Sequence, residues 1–102
     1  MHVALLYDFY GQLLTERQRQ LVEFYYLNDL SLGEIAEDQG VSRQAVHDQL
    51  RHASEALENY EAKLGLVARH LEEQHTLQEL HRCLERGDLT EAQTLVRSLL
   101  GE

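Results

Sequence analysis

Apolar residues recur at intervals of three and four along almost the whole chain and nowhere alternate long enough for a strand, so the pattern predicts helices throughout. Leu5, Leu6, Phe9, Tyr10 and Leu13 share one broad face of a first helix over 3–13, whose last turns Gly11 weakens. Thr15 and Gln18 have capping-box spacing, so Thr15 opens a second helix reaching about Leu27. That helix buries Leu21, Val22, Phe24 and Tyr25, together with Leu14 or Leu27. Asn28 and Asp29 make the next turn. Ser31, with Glu34 three residues on, starts a third helix by the same capping logic.

The stretch from Ser31 to Ala53, SLGEIAEDQGVSRQAVHDQLRHA, writes two capped helices around one glycine. Ala36, Gly40 and Val46 stand at helix-turn-helix offsets: the small Ala36 lets the second helix cross closely, and Gly40 supplies the positive φ of a tight turn. Ser42 caps the helix that follows, which runs unbroken to about Leu64, about 33 Å at the usual rise per residue. Beyond Ala53 the positions Ala56, Leu57, Tyr60 and Leu64 continue one seam, and Gly65 is a stop or hinge. Helical spacing resumes from Leu66 to Leu84. Glu72-Glu73-Gln74-His75 carries no apolar residue, and Thr76 with Glu79 forms another capping box, which predicts a kink or a fresh helix start near Thr76.

Gly87-Asp88 ends that segment, and Leu89, Ala92, Leu95, Val96, Leu99 and Leu100 form the stripe of a last helix, so 77–100 reads as a helical hairpin. The expected fold is all-α: a helix-turn-helix domain over 1–65, then a C-terminal helical extension with its hairpin over 66–102. The seam Leu57, Tyr60, Leu64, Val67, Leu71 predicts a homodimer closed through the long helix.

Composition narrows what such a chain does. A length of 102 residues suffices for a core without metals or disulfides, and the single Cys83 forbids an internal disulfide and agrees with a reducing compartment. No basic segment precedes the short run Val3-Ala4-Leu5-Leu6, and no stretch is long enough for a membrane span. The expectation is a cytoplasmic protein with no membrane partner. His2, His47, His52, His70, His75 and His81 lack metal-ligand spacing, and Cys83 reads as a small buried hydrophobe. With no phosphate loop and no nucleophile–base constellation, neither an enzyme nor a cofactor or metal site is expected.

The remaining candidate chemistry is recognition of nucleic acid. If Val46 and Leu50 face the core with Ile35 and Val41, then Arg43, Gln44, His47 and Arg51 lie outward at helical spacing, where a recognition helix meets a groove. Arg and Gln make bidentate contacts to guanine and adenine edges, and Ser42 with Gln44 stands at a helix N-terminus suited to phosphate. The bland reading is a helix-turn-helix used only for packing. The net charge of −9 repels a polyanion at long range, and Asp48 and Glu55 sit on or near the same face. Such acidity suits an adaptor that binds a basic protein instead.

Four motifs carry a family resemblance: Leu-Tyr-Asp-Phe-Tyr near the start, Leu-Thr-Glu-Arg-Gln-Arg before the second helix, Tyr-Tyr-Leu-Asn-Asp-Leu-Ser-Leu-Gly-Glu-Ile-Ala, and Val-Ser-Arg-Gln-Ala-Val. Over Leu6 to about Leu66 the chain resembles the YlxM family of small bacterial helix-turn-helix proteins, and its core is similar to the promoter-reading C-terminal domain of sigma factors. The resemblance implies a nucleic-acid-binding regulator associated with the signal recognition particle pathway. DNA would be its ligand, or RNA in its place, and particle components its partners. By the sigma-factor analogy Arg43, Gln44, His47 and Arg51 would face bases, and Arg17, Arg19 and Ser42 would face phosphates. The alternative is an acidic adaptor that binds a basic partner such as the particle's GTPase without touching DNA.

Overall fold

The computed structural model describes residues 2–102, and these form six α-helices and no strand. They fall into two compact units, one ending at Gly65 and the other running Leu66–Glu102.

In the first unit, α1 (Val3–Tyr10), α2 (Glu16–Val22) and α3 (Leu32–Gln39) all pack on α4 (Arg43–Leu64). Leu6 and Tyr10 of α1, Leu21 and Val22 of α2, and Ile35 and Ala36 of α3 meet Val46, Leu50, Ala53 and Leu57 of α4 in one buried core. The first helix is shorter than its apolar pattern: after Tyr10 the chain tightens into a 3₁₀ turn over Gly11–Leu13. Gly11 permits this because the Tyr7 ring lies where a side chain would stand, 2.9 Å from the position of a Cβ.

The second helix reaches Leu27 as the spacing predicts, but Glu23–Leu27 is a wide π turn in which the Asn28 amide donates to the Glu23 carbonyl at 2.9 Å. The extra residue per turn rotates the side chains that follow away from the core. Phe24 and Tyr25 are therefore half-buried rather than buried, Leu27 is exposed, and Leu14 takes the inner position. Asp29 then takes a left-handed conformation (φ 57) to reach the cap of α3.

The second unit is a pair of packed helices, α5 (Leu66–Arg86) and α6 (Leu89–Leu99). Gly87 turns the chain with φ 75, and the Asp88 carboxylate caps α6 by accepting from the Glu91 amide at 3.1 Å. The kink or restart expected near Thr76 is absent. Instead of capping, the Thr76 hydroxyl donates to the Glu72 carbonyl at 3.1 Å inside a continuous helix. The stretch without apolar residues is spanned by Arg69–Glu73 and His75–Glu79, both at 3.1 Å and four residues apart, so polar pairs support the helix there.

The seam predicted for a dimer is also not a free stripe. Leu57 is fully buried in the first unit, the Tyr60 ring stacks 6.0 Å from Tyr10 and its hydroxyl donates to the Leu13 carbonyl, and Val67 is buried. Gly65, with φ 62, ends α4 in the middle of the seam. Only Leu64 and Leu71 of the five remain exposed.

Candidate nucleic-acid interface

The helix-turn-helix is fastened at each point where its backbone changes direction. Ser31 and Glu34 close a full capping box: the Glu34 amide donates to the Ser31 hydroxyl at 3.0 Å, and the Ser31 amide to the Glu34 carboxylate at 3.1 Å. The Ser31 backbone amide, and after it the Ser31 side chain, hold the Glu34 carboxyl below its ordinary range. Gly40 ends α3 with φ 67, and the Val41 amide donates to the Ala36 carbonyl at 3.1 Å, as in a Schellman-type close. The Ser42 hydroxyl accepts from the Ala45 amide at 3.0 Å and starts α4. Each cap stabilises its helix by about 1 kcal/mol.

Because Val46 and Leu50 are locked into the core, the helical period turns Arg43, Gln44, His47 and Arg51 outward, and all four are exposed. Among the described residues Arg43 makes no ion pair; its Nε lies 3.6 Å from where a Cβ on Gly33 would stand, so it reaches the first turn of α3. The other three each have a carboxylate nearby. Gln44 donates to Asp48 at 3.0 Å, His47 lies 3.5 Å from the same oxygen, and Arg51 is 3.5 Å from Glu55. The bond from Gln44, followed by that from His47, pushes the Asp48 carboxyl down, so a negative charge stays at the centre of this face.

The residues assigned to phosphate are less available. The Ser42 hydroxyl already serves the cap. Arg17 is half-buried and joins three helices, its guanidinium donating to Gln39 at the end of α3 and, at 3.4 Å, to Gln49 of α4. Neither glutamine stands out in the sequence; only the packing of α2 across α3 and α4 reveals them. Arg19, also half-buried, lines a shallow concavity with Glu16, Gln20 and Glu23. Its neighbour there is the Tyr7 hydroxyl bonded to Glu23 at 2.5 Å, and that bond raises the Tyr7 pKa. The structure thus gathers Arg43, Gln44, His47 and Arg51 on one face and gives Arg17 and Arg19 other surroundings. Among the described residues no group of His, Cys, Asp or Glu could hold a metal ion, and no helix is long and apolar enough to cross a membrane.

Residues 1–96 match the family described as "Putative helix-turn-helix protein, YlxM / p13 like". The chain belongs to the YlxM/p13-like family. Its UPF0122 relative in Symbiobacterium thermophilum is 51% identical over 100 residues, covering 98% of this chain and 94% of the relative. Those in Caldanaerobacter subterraneus and Listeria welshimeri are 51% and 45% identical over 82% and 87% of this chain, covering 72% and 81% of the relatives. The family match runs past Gly65 into α6, so in this YlxM/p13-like protein the hairpin is as much a part of the family's pattern as the helix-turn-helix.

Proposed function

We propose that this YlxM/p13-like protein is a nucleic-acid-binding regulator that reads duplex DNA with the outer face of α4 between Arg43 and Arg51. The observation that carries this reading is the open row Arg43, Gln44, His47, Arg51 on a helix whose opposite side is sealed by Val46 and Leu50. Such a row fits the major groove of B-form DNA, whereas the deep, narrow major groove of an RNA duplex does not admit a helix. Arg43 is the leading contact because, among the described residues, no carboxylate pairs with it. Binding is modest and has a shallow salt slope, since residues 1–65 hold 11 acidic side chains against five Lys and Arg. Following the family resemblance, the regulator acts in the cytoplasm on the signal recognition particle pathway.

The acidic-adaptor reading has its own support: Asp48 at the centre of the face, Glu55 at its end and the net charge of −9 suit a basic protein partner. Selection from randomised duplexes, followed by a shift assay at matched ionic strength, separates the two. The regulator reading expects an enriched sequence whose binding disappears in the Arg43→Ala/Arg51→Ala protein. Failure to enrich any sequence, or binding unchanged in the double variant, overturns it.

A further inference from the structure

Arg17 stands where an arginine is locally unfavourable. It is the second residue of α2, in the turn whose unpaired amides carry the positive end of the helix dipole. Among the described residues no ion pair offsets this. Two neutral acceptors from other helices do: Nη1 donates to Gln39 Oε1, and Nε donates to Gln49 Oε1 at 3.4 Å. All three side chains are half-buried. Gln39 is itself held, its Nε2 donating to the Asp38 carboxylate at 2.9 Å, which keeps its oxygen turned to the arginine.

Gln39 is the last residue of α3, next to Gly40, whose φ of 67 makes the turn. Gln49 is two residues from both His47 and Arg51, and at about 100° per residue this puts it on the side of α4 opposite the row Arg43, Gln44, His47, Arg51. One guanidinium thus grips the turn and the back of the helix whose front is open. We propose that Arg17 is a positioning residue. Resting on the reading of α4 as the DNA-binding helix, it sets the angle at which the row enters the groove, and it governs discrimination between sequences rather than contact with phosphate.

Base readout is sensitive to that angle. Arg43 and Arg51 lie about 12 Å apart along α4, so a tilt of about 10° pivoting at the turn moves Arg51 by about 2 Å. A bidentate contact to a base edge tolerates only about 0.5 Å, whereas attraction to phosphate is far less directional. The chemistry of the clamp also separates the two roles. Its acceptors are amide oxygens on different helices, which call for a forked donor more than for a charge. Lysine keeps the charge but offers one nitrogen to both oxygens, so it serves a phosphate and fails the clamp.

The test compares the full chain with Arg17→Lys, Gln49→Leu and Gln49→Glu on the duplex selected from the randomised pool and on a scrambled duplex of equal length. Titrations run over a salt series, below the melting temperature of every variant. Arg17→Lys and Gln49→Leu are expected to narrow the ratio of the two affinities about tenfold at an unchanged salt slope. Gln49→Glu keeps an acceptor oxygen and is expected to preserve the ratio. An unchanged ratio in Arg17→Lys overturns the proposal, whether Arg17 then proves a phosphate contact or a bond that only raises the melting temperature. Hydrogen exchange without nucleic acid gives a second readout: Arg17→Lys is expected to speed exchange at the Gly40 and Val41 amides about tenfold relative to that of Leu50, and unchanged rates overturn the clamp. Should the turn loosen as expected while the unaltered protein selects no duplex, the DNA reading fails and takes the positioning role with it. Should a selected duplex be discriminated equally well by Arg17→Lys, the positioning role fails alone.

Discussion

Gln44 and Asp48 are hydrogen-bonded to one another, Nε2 to Oδ1 at 3.0 Å, one turn apart on the outer face of α4. The side chain best suited to an adenine edge is thus held by a carboxylate that would also repel the phosphates beside it. Asp48→Ala frees the amide and removes the charge, so affinity for a selected duplex is expected to rise about three- to tenfold in an anisotropy titration. The acidic-adaptor reading expects the opposite: no gain on DNA and a loss of the basic partner.

Tyr10 is 1% exposed, and its hydroxyl donates to the Glu61 carboxylate at 2.5 Å, tying α1 to the far end of α4. Tyr10→Phe keeps the ring and deletes a charge-assisted bond. It is expected to cost about 1–2 kcal/mol, read as a lower urea midpoint with an unchanged denaturant slope.

At Gly40 the φ of 67 is the whole constraint, because a Cβ there would have nothing within 4 Å. Gly40→Ala should destabilise by about 1–2 kcal/mol through backbone strain alone. Gly40→Asn, which tolerates the left-handed region, should recover a good part of that loss in the same thermal melt. Equal losses for the two would point to packing rather than backbone conformation.

Acid should loosen the start of α3. The folded-state pKa of Glu34 lies below its unfolded value because of the bonds to Ser31, so its contribution is fully present above the unfolded pKa and is lost as pH falls through the folded one. Glu34→Gln still accepts from the Ser31 amide but does not titrate. Its stability is therefore expected to vary less with pH across the carboxylate range than that of the unaltered protein, in urea melts run side by side.

The helix-turn-helix was legible in the sequence because its signals are local: Ser31, Gly40 and Ser42 each act on a backbone group within four residues. The outward row of α4 followed from periodicity once Val46 and Leu50 were assigned to the core. Signals that depend on tertiary packing were not legible. The bonds from Arg17 to Gln39 and Gln49, which stand on other helices, cannot be read from spacing, and neither can the full burial of Leu57, a position that reads as part of a free seam. Thr76 misleads for a different reason. A capping-box pair inside a helix is indistinguishable by spacing from one at its start, and here the hydroxyl bonds back one turn.

The π turn at Glu23–Leu27 holds one residue more than an α-helical path between the same ends would need. It is a reserve of chain length. A one-residue deletion there can be absorbed by rewinding to ordinary pitch, whereas the same deletion within α4 would swing every downstream side chain by about 100° about the axis. Among members of this family, differences in length ahead of the Ser31 cap are therefore expected to collect in this turn.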